Sequence, residues 1–211
     1  MKLPTSIIKP LLRFVFIYTL LIVPWPGWNQ AYSAMFRGIA SQIYGGDSGR
    51  RNLSFEPLQT SEHPYYSRIV IVNQSLMSPG GGGPIWNLDL DTIEIGWRPT
   101  ALLIALTLAT PISMRRRLRA LFFGLLIEQA FILWALGYFI WIESAGVSLV
   151  VLTPFGKQVA ESFADVLKGQ LDFIMPLLVW LVVVFNRNDI SMITADFGRS
   201  HSKDLYQKAH G

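Results

Sequence analysis

Glu128 is the residue whose type and position in the sequence point most directly to chemistry. It lies near the centre of the apolar run Leu118–Ile142, about 3 Å from the middle of a helix that rises 1.5 Å per residue. A carboxylate at the centre of a membrane-spanning helix is costly and is a candidate functional residue. Three interpretations are open: a protonated acid hydrogen-bonded between helices, a proton-handling group, or a docking point for a partner.

Other polar residues are candidates to meet this carboxyl group. Ala120, Gly124 and Glu128 recur every four residues, so small side chains on that face allow a neighbouring helix to approach closely. The polar residues predicted at similar membrane depth are Gln129, Thr107, Thr19 and Tyr18. If Glu128 only joins helices, the substitution Glu128→Gln should be tolerated.

Trp97, Arg98 and Pro99 precede the apolar run Thr100–Met114. This pattern is typical of a membrane-interface anchor followed by a helix-starting proline. Alternatively, Arg98 pairs with an acid on a partner protein or with a lipid headgroup. Trp97 and Arg98 are therefore the candidate residues for an interface or a partner.

No catalytic residue, metal site or cofactor is predicted. The chain has no cysteine, and its three histidines fall in segments expected on opposite sides of a membrane. Asp89, Asp91 and Glu94 do not continue into a calcium-loop pattern, so we expect them to form a solvated face of a strand.

The composition is that of a membrane protein. Of 211 residues, 51% are hydrophobic and 15% charged, and the net charge is +4. The basic residues flank apolar runs, which indicates membrane topology and excludes nucleic acid as the expected partner. The expected fold is a four-transmembrane-helix protein with a small α+β extracytoplasmic domain between spans one and two. The spans are Leu11–Trp25, Thr100–Met114, Leu118–Ile142 and Leu171–Phe185.

The arginines at positions 115, 116, 117 and 119 determine the expected orientation. Because positive loops stay in the cytoplasm, both termini are predicted to be cytoplasmic, in a multi-pass protein of the bacterial inner (plasma) membrane. The first span resembles the start of a secretory signal, but Pro24 and Pro26 end it early. We expect an uncleaved anchor.

The chain is expected to divide into six segments. They are an N-terminal membrane anchor helix (1–25), the extracytoplasmic α+β domain (26–98), a transmembrane hairpin with a basic cytoplasmic turn (99–142), an extracytoplasmic connection with an amphipathic helix (143–170), a fourth transmembrane helix (171–186) and a cytoplasmic tail (187–211). The α+β domain is predicted to contain a helix at Trp28–Tyr44 and strands at Leu53–Leu58, Tyr65–Asn73 and Ile85–Ile95. A bulge is expected near Asp91 and Thr92, where the apolar alternation changes phase. Pro176 is expected to kink the last span.

Two segments, IEIGWRPTALLIALTLATP before a basic turn and the closing GQLDFIMPLLVWLVVVFNR, resemble the exosortase H-associated membrane proteins of bacteria. The resemblance implies a non-enzymatic accessory subunit of an envelope protein-sorting or assembly system, embedded in the lipid bilayer beside an exosortase-like enzyme. A different hypothesis is a small proton-coupled transporter or channel component that uses Glu128. A third is a membrane enzyme acting on lipid-linked substrates through Arg98 and the outer acids.

Overall fold

The computed structural model describes residues 5–58, 66–78, 83–171 and 173–185. Within those residues the chain forms six α-helices and one four-stranded antiparallel sheet. The helices are α1 (Thr5–Ile22), α2 (Trp28–Tyr44), α3 (Arg98–Ala109), α4 (Met114–Glu143), α5 (Pro154–Leu171) and α6 (Ile174–Val184). The strands are β1 (Gly46–Asp47), β2 (Arg51–Leu58), β3 (Tyr66–Asn73) and β4 (Ile85–Asp91).

The sheet has the strand order β1-β2-β3-β4 and buries one face. Alternation along β3 places Ile69 and Ile71 at 0% exposure, because successive side chains of a strand point to opposite faces. These residues pack with Phe36 of α2 and Phe139 of α4 in one apolar core. The predictions of the helix Trp28–Tyr44 and of the first two strands agree with these elements.

The third predicted strand is shorter than expected, and the predicted bulge is wrong. Strand β4 ends at Asp91, and a π-helical turn (Ile93–Trp97) leads directly into α3. The Asp91 Oδ1 atom accepts the backbone N–H groups of Ile93 and Glu94 at 2.9 and 3.2 Å, which caps the start of this turn. The apolar alternation changes phase because the backbone changes from strand to helix.

Helix α4 joins the two halves of the fold. Its buried residues recur at helical spacing along one face and are Ala120, Gly124, Glu128, Ile132, Ala135, Leu136, Phe139 and Ile140. The first half of this face meets α3 and α6, since a Cβ atom added at Gly124 would lie 3.4 Å from Leu103 and 3.5 Å from Val183. The second half belongs to the core beneath the sheet.

The prediction of a four-transmembrane-helix protein is wrong. In the part of the chain that the structure describes, only the helical stretch Met114–Val147 is long and apolar enough, by length and composition, to cross a membrane. Helix α3 has 12 residues and α6 has 11, against the ~20 that a span needs. Helix α3 ends early because Pro111 follows Thr110, and a residue before proline is disfavoured in a helix.

Pro176 does not lie inside a long helix, as the prediction of a kinked last span assumed. Helix α6 begins at Ile174, so Pro176 lies in its first turn, where the missing N–H has no intrahelical partner to lose.

The outer surface of the helices is strongly apolar. Large apolar side chains are at least 40% exposed on α1, α4 and α6, among them Leu12, Phe16, Phe122, Phe123, Leu126, Leu178 and Val182. Helix α2 has a second apolar face opposite the core, formed by Met35, Ile39 and Ile43. The buried side of α2 is the one with Tyr32, Phe36 and Ala40.

We expect Ile71→Asp to prevent folding, because it places an unpaired charge at a fully buried position and should cost about 3–5 kcal/mol. The control is Val70→Asp on the same strand. Val70 is half-buried and lies opposite Ser54 and Asn87, both polar. The two variants are compared by their protein level in cells and by thermal unfolding. If both variant proteins accumulate equally, the assignment of the buried face is wrong.

Candidate functional site

A cavity of about 610 Å³ lies between β4, the end of α4 and α5, a volume typical of ligand-binding pockets. Its apolar lining comes from Trp86, Leu88, Leu90, Ile95, Phe139 and Ile142. Six carboxylates, one ammonium group and three small residues complete the lining: Asp89, Asp91, Glu94, Glu143, Glu161, Asp165, Lys157, Ala145, Gly146 and Ala164. We refer to this cavity as the acidic pocket.

Local structure determines where these acids lie. Asp89 and Asp91 alternate along β4 with Leu88 and Leu90, so the strand contributes acids from one face and apolar groups from the other. Glu161 and Asp165 are four residues apart on α5 and therefore lie on one side of that helix.

Half of the acids already have a cation beside them. Asp89 accepts two hydrogen bonds from the Arg68 guanidinium, at 2.8 and 3.0 Å, and these bonds lower the pKa of Asp89 below its usual value. Glu94 pairs with Arg98 at 3.1 Å, and Glu161 pairs with Lys157 at 3.6 Å.

The other three acids, Asp91, Glu143 and Asp165, form no ion pair with any residue that the structure describes. The pocket therefore has an excess of negative charge, although the whole chain has a net charge of +4. Six of the fourteen acidic residues of the chain line this one cavity.

The acids are spread around the cavity. No group of three or more His, Cys, Asp or Glu side chains among the described residues is arranged to hold a metal ion. The arrangement suits a ligand with several separated positive charges and apolar groups between them. The histidines at positions 63, 201 and 210 lie outside the described residues.

Glu128 is buried in the helices, outside the lining of the acidic pocket. Its side chain is 0% exposed, and neither carboxyl oxygen has a hydrogen-bond partner among the described residues. Thr107 is also fully buried, but its hydroxyl donates to the Leu103 carbonyl at 2.8 Å. Thr19 is exposed on α1. The structure therefore does not bring these candidates together as a hydrogen-bonded group.

Gln129 has a polar partner on α3. Its Nε2 atom donates to the Thr100 hydroxyl at 2.8 Å, and that hydroxyl donates to the Gly96 carbonyl at 2.6 Å. The Tyr32 hydroxyl is packed against Gly96, where an added Cβ would lie only 2.5 Å away. Burial raises the pKa of Tyr32 to about 12, against a smaller opposing effect of Thr100 and Gln129, so the phenol is protonated at neutral pH.

Trp97 and Arg98 contact residues of their own chain. The Trp97 indole N–H donates to the Leu21 carbonyl at 3.0 Å, and its ring packs against Trp28 and Tyr32. Trp97 therefore joins the end of α1 to α2. Arg98 pairs with Glu94, and both side chains are about half exposed.

Sequence reasoning missed the acidic pocket. Asp89, Asp91 and Glu94 were expected to be a solvated strand face, and Glu143, Glu161 and Asp165 were not assigned to a site. The only signal in the sequence was that most of the acidic residues fall in the two segments predicted to be extracytoplasmic, 26–98 and 143–170. Strand β4 forms one side of the cavity and α5 forms the other, and only the tertiary structure brings these two elements together.

Comparison with known proteins found no matching family model, no matching curated protein and no matching solved structure. The resemblance to the exosortase H-associated proteins therefore stays a prediction.

We expect Glu128→Leu to stabilise the folded protein. Leucine has a similar volume and removes a buried polar group that lacks a partner, a defect that costs about 1–3 kcal/mol. Glu128→Gln keeps an unpartnered polar group and should change stability little. Thermal unfolding of both variants in the same detergent is the measurement. A clear loss of stability in Glu128→Leu would mean that the carboxyl group has a stabilising partner in the folded state.

Proposed function

We propose that this protein is a non-enzymatic, membrane-anchored accessory subunit that binds a cationic segment of another envelope protein in the acidic pocket. The observation that carries the proposal is the pocket itself: among the described residues its lining combines apolar side chains with six carboxylates and Lys157, and three of the carboxylates have no ion pair. A ligand with basic and apolar side chains is complementary to both features.

The exposed apolar surface supports a membrane location. Soluble monomeric proteins rarely expose large continuous apolar patches, whereas α1, α4 and α6 expose many leucine, valine and phenylalanine side chains. Lipid acyl chains are the occupant that suits this surface, because Met114–Val147 is also long and apolar enough to cross the bilayer. The exposed face of α2 suits an amphipathic helix lying at the membrane surface.

The charge distribution supports one orientation of α4. Four arginines lie in its first two turns, at positions 115, 116, 117 and 119, and Glu143 is its last residue. The basic end is therefore proposed to be cytoplasmic. The turn that follows α4 contacts the sheet, since the Asn73 side chain donates to the Val147 carbonyl at 2.8 Å. In the proposed orientation, the sheet and the acidic pocket therefore lie on the outer side of the membrane.

An exosortase-like enzyme, or a substrate that such an enzyme processes, is the partner that the sequence resemblance suggests. An accessory role also fits the site, because no nucleophile paired with a general base was recognised in the sequence. The pocket would act by holding a protein segment near the membrane surface, where a membrane enzyme could reach it.

Glu128 favours a second candidate function, proton-coupled transport. A fully buried carboxyl group without a described hydrogen-bond partner is a candidate proton carrier in a membrane helix. If Glu128→Gln abolishes cellular function at normal protein level, this candidate is favoured over the accessory role. Tolerance of Glu128→Gln is the expected result.

The binding function can be tested with a peptide of alternating lysine and leucine. The full chain is placed in nanodiscs of uncharged lipid, with empty nanodiscs as the blank. We expect the double variant Glu143→Gln, Asp165→Asn to weaken binding about five- to thirtyfold, because it removes two carboxylates that have no cation of their own. Added salt should weaken binding to the parent protein as well.

The matched control is Glu56→Gln with Asp47→Asn, which makes the same change of charge outside the pocket. Asp47→Asn also keeps the oxygen that accepts the Gly49 N–H group. An equal loss of binding in both double variants would show that net charge alone attracts the peptide. Absence of binding to the parent protein would reject the proposed function.

The orientation can be tested with single cysteines, since the chain has none of its own. Val151 is 94% exposed beyond the acidic end of α4, and Met114 is 60% exposed at its basic end. We expect a membrane-impermeant maleimide to label Val151→Cys in cells with a permeabilised outer membrane. Met114→Cys should be labelled only after the inner membrane is disrupted. The reverse pattern would contradict the proposed orientation.

A further inference from the structure

Strand β4 has one unpaired edge within the described residues. It pairs with β3 from Ile85 opposite Val72 to Asp91 opposite Tyr66, and it is the last strand in the sheet order. In an antiparallel edge strand, alternate residues direct their N–H and C=O groups away from the neighbouring strand. These groups can pair with a further strand.

The acidic pocket lies along that unpaired edge. Four consecutive residues of β4, Leu88 to Asp91, line it. Because successive side chains point to opposite faces of a sheet, a cavity lined by all four residues reaches both faces at the free edge of the strand. It also extends under the apolar face, where Phe139 and Ile142 line it. Four residues of a strand span roughly 13 Å, which is the length available for pairing.

The far side and one end of this space are bounded. Helix α5 contributes Glu161 and Asp165 to the wall opposite the strand. The Trp86 ring packs over Gly146, 3.4 Å from where a Cβ atom would be, at the end of the pocket beyond Leu88. The space that remains suits an extended chain.

We propose that the acidic pocket binds its protein ligand by strand addition, with an extended segment of the partner pairing with β4 between Leu88 and Asp91. This inference rests on the proposed function. The added strand would continue both faces of the sheet. Every second side chain would lie beside Leu88 and Leu90, and the others beside Asp89 and Asp91.

The pairing therefore specifies a sequence pattern. Apolar side chains are favoured beside the leucines, which line the cavity together with Phe139. Lysine or arginine is favoured beside Asp91, which forms no ion pair with a described residue, because opposite charges stabilise cross-strand pairs. The ligand is a segment in which basic and apolar residues alternate, and its main chain supplies hydrogen bonds while its side chains supply specificity.

Backbone N-methylation tests the pairing directly. Three peptides of alternating lysine and leucine are compared on the full chain in nanodiscs: the unmodified peptide, one N-methylated at every lysine, and one N-methylated at every leucine. In a strand, alternate N–H groups point to the same edge, so only one of the methylated peptides loses the hydrogen bonds to β4. That peptide should bind at least about tenfold more weakly, and the other should bind like the unmodified one.

Amide hydrogen exchange gives a second readout. The unmodified peptide should slow exchange in Leu88–Asp91 and leave the interior strand β2 unchanged. If both methylated peptides bind like the unmodified one, or both lose affinity equally, strand addition is wrong. If strand addition is rejected in this way but the double variant Glu143→Gln, Asp165→Asn still weakens binding, the pocket binds the peptide by another geometry and the proposed function stands. If the unmodified peptide does not bind, the proposed function itself fails.

Discussion

The burial of one face of α4 along its whole length is the constraint on which the rest of the structure depends. The face begins with Ala120 and Gly124, whose small side chains let α3 and α6 approach. It continues with Leu136 and Phe139, which belong to the core beneath the sheet. One continuous helix therefore contributes to both halves: it contacts α3 and α6, and it also contacts α5 and the turn that follows its own C-terminal end.

The acidic pocket exists because α4 also fixes both of its walls. On one side, the Asn73 side chain bonds to the Val147 carbonyl and ties the sheet to the turn after α4. On the other, the Tyr138 hydroxyl donates to the Ala160 carbonyl at 3.2 Å, and its ring packs edge-on against Phe163 of α5. Both attachments are made to α4 or its end. Strand β4 and helix α5 are therefore each held in place by α4 or its end, and the space between them does not depend on direct contact between β4 and α5.

The sequence predicted the local elements better than their arrangement. The helix Trp28–Tyr44 and the strands β2 and β3 followed from spacing and β-branched composition, which act over a few residues. The four spans did not follow from apolar content, because helix length is also limited by residues such as Pro111, which ends α3. The apolar runs were identified, but apolar composition alone does not distinguish a complete span from a shorter helix.

The site shows the same limit. Glu128 was found from its position in an apolar run, and it is indeed fully buried. Neither of its carboxyl oxygens has a hydrogen-bond partner among the described residues, and Thr107, a candidate partner, donates its hydroxyl to the Leu103 carbonyl. The acidic pocket could not be found, because its acids come from β4 and the turn after it, from the end of α4 and from α5. The two acids of β4 precede Glu143 by more than 50 residues of sequence. Only the fold brings them around one cavity.

The separation of charge along α4 connects the proposed location with the proposed ligand. Arginines are concentrated in its first turns, and the acids of the pocket surround its other end. In the proposed orientation, the positive end stays in the cytoplasm and the negative pocket faces outward. A cationic segment would be repelled at the first end and attracted at the second. Its apolar residues would favour the membrane surface. The same distribution of charge therefore orients the protein and selects the side on which a basic, apolar segment can bind.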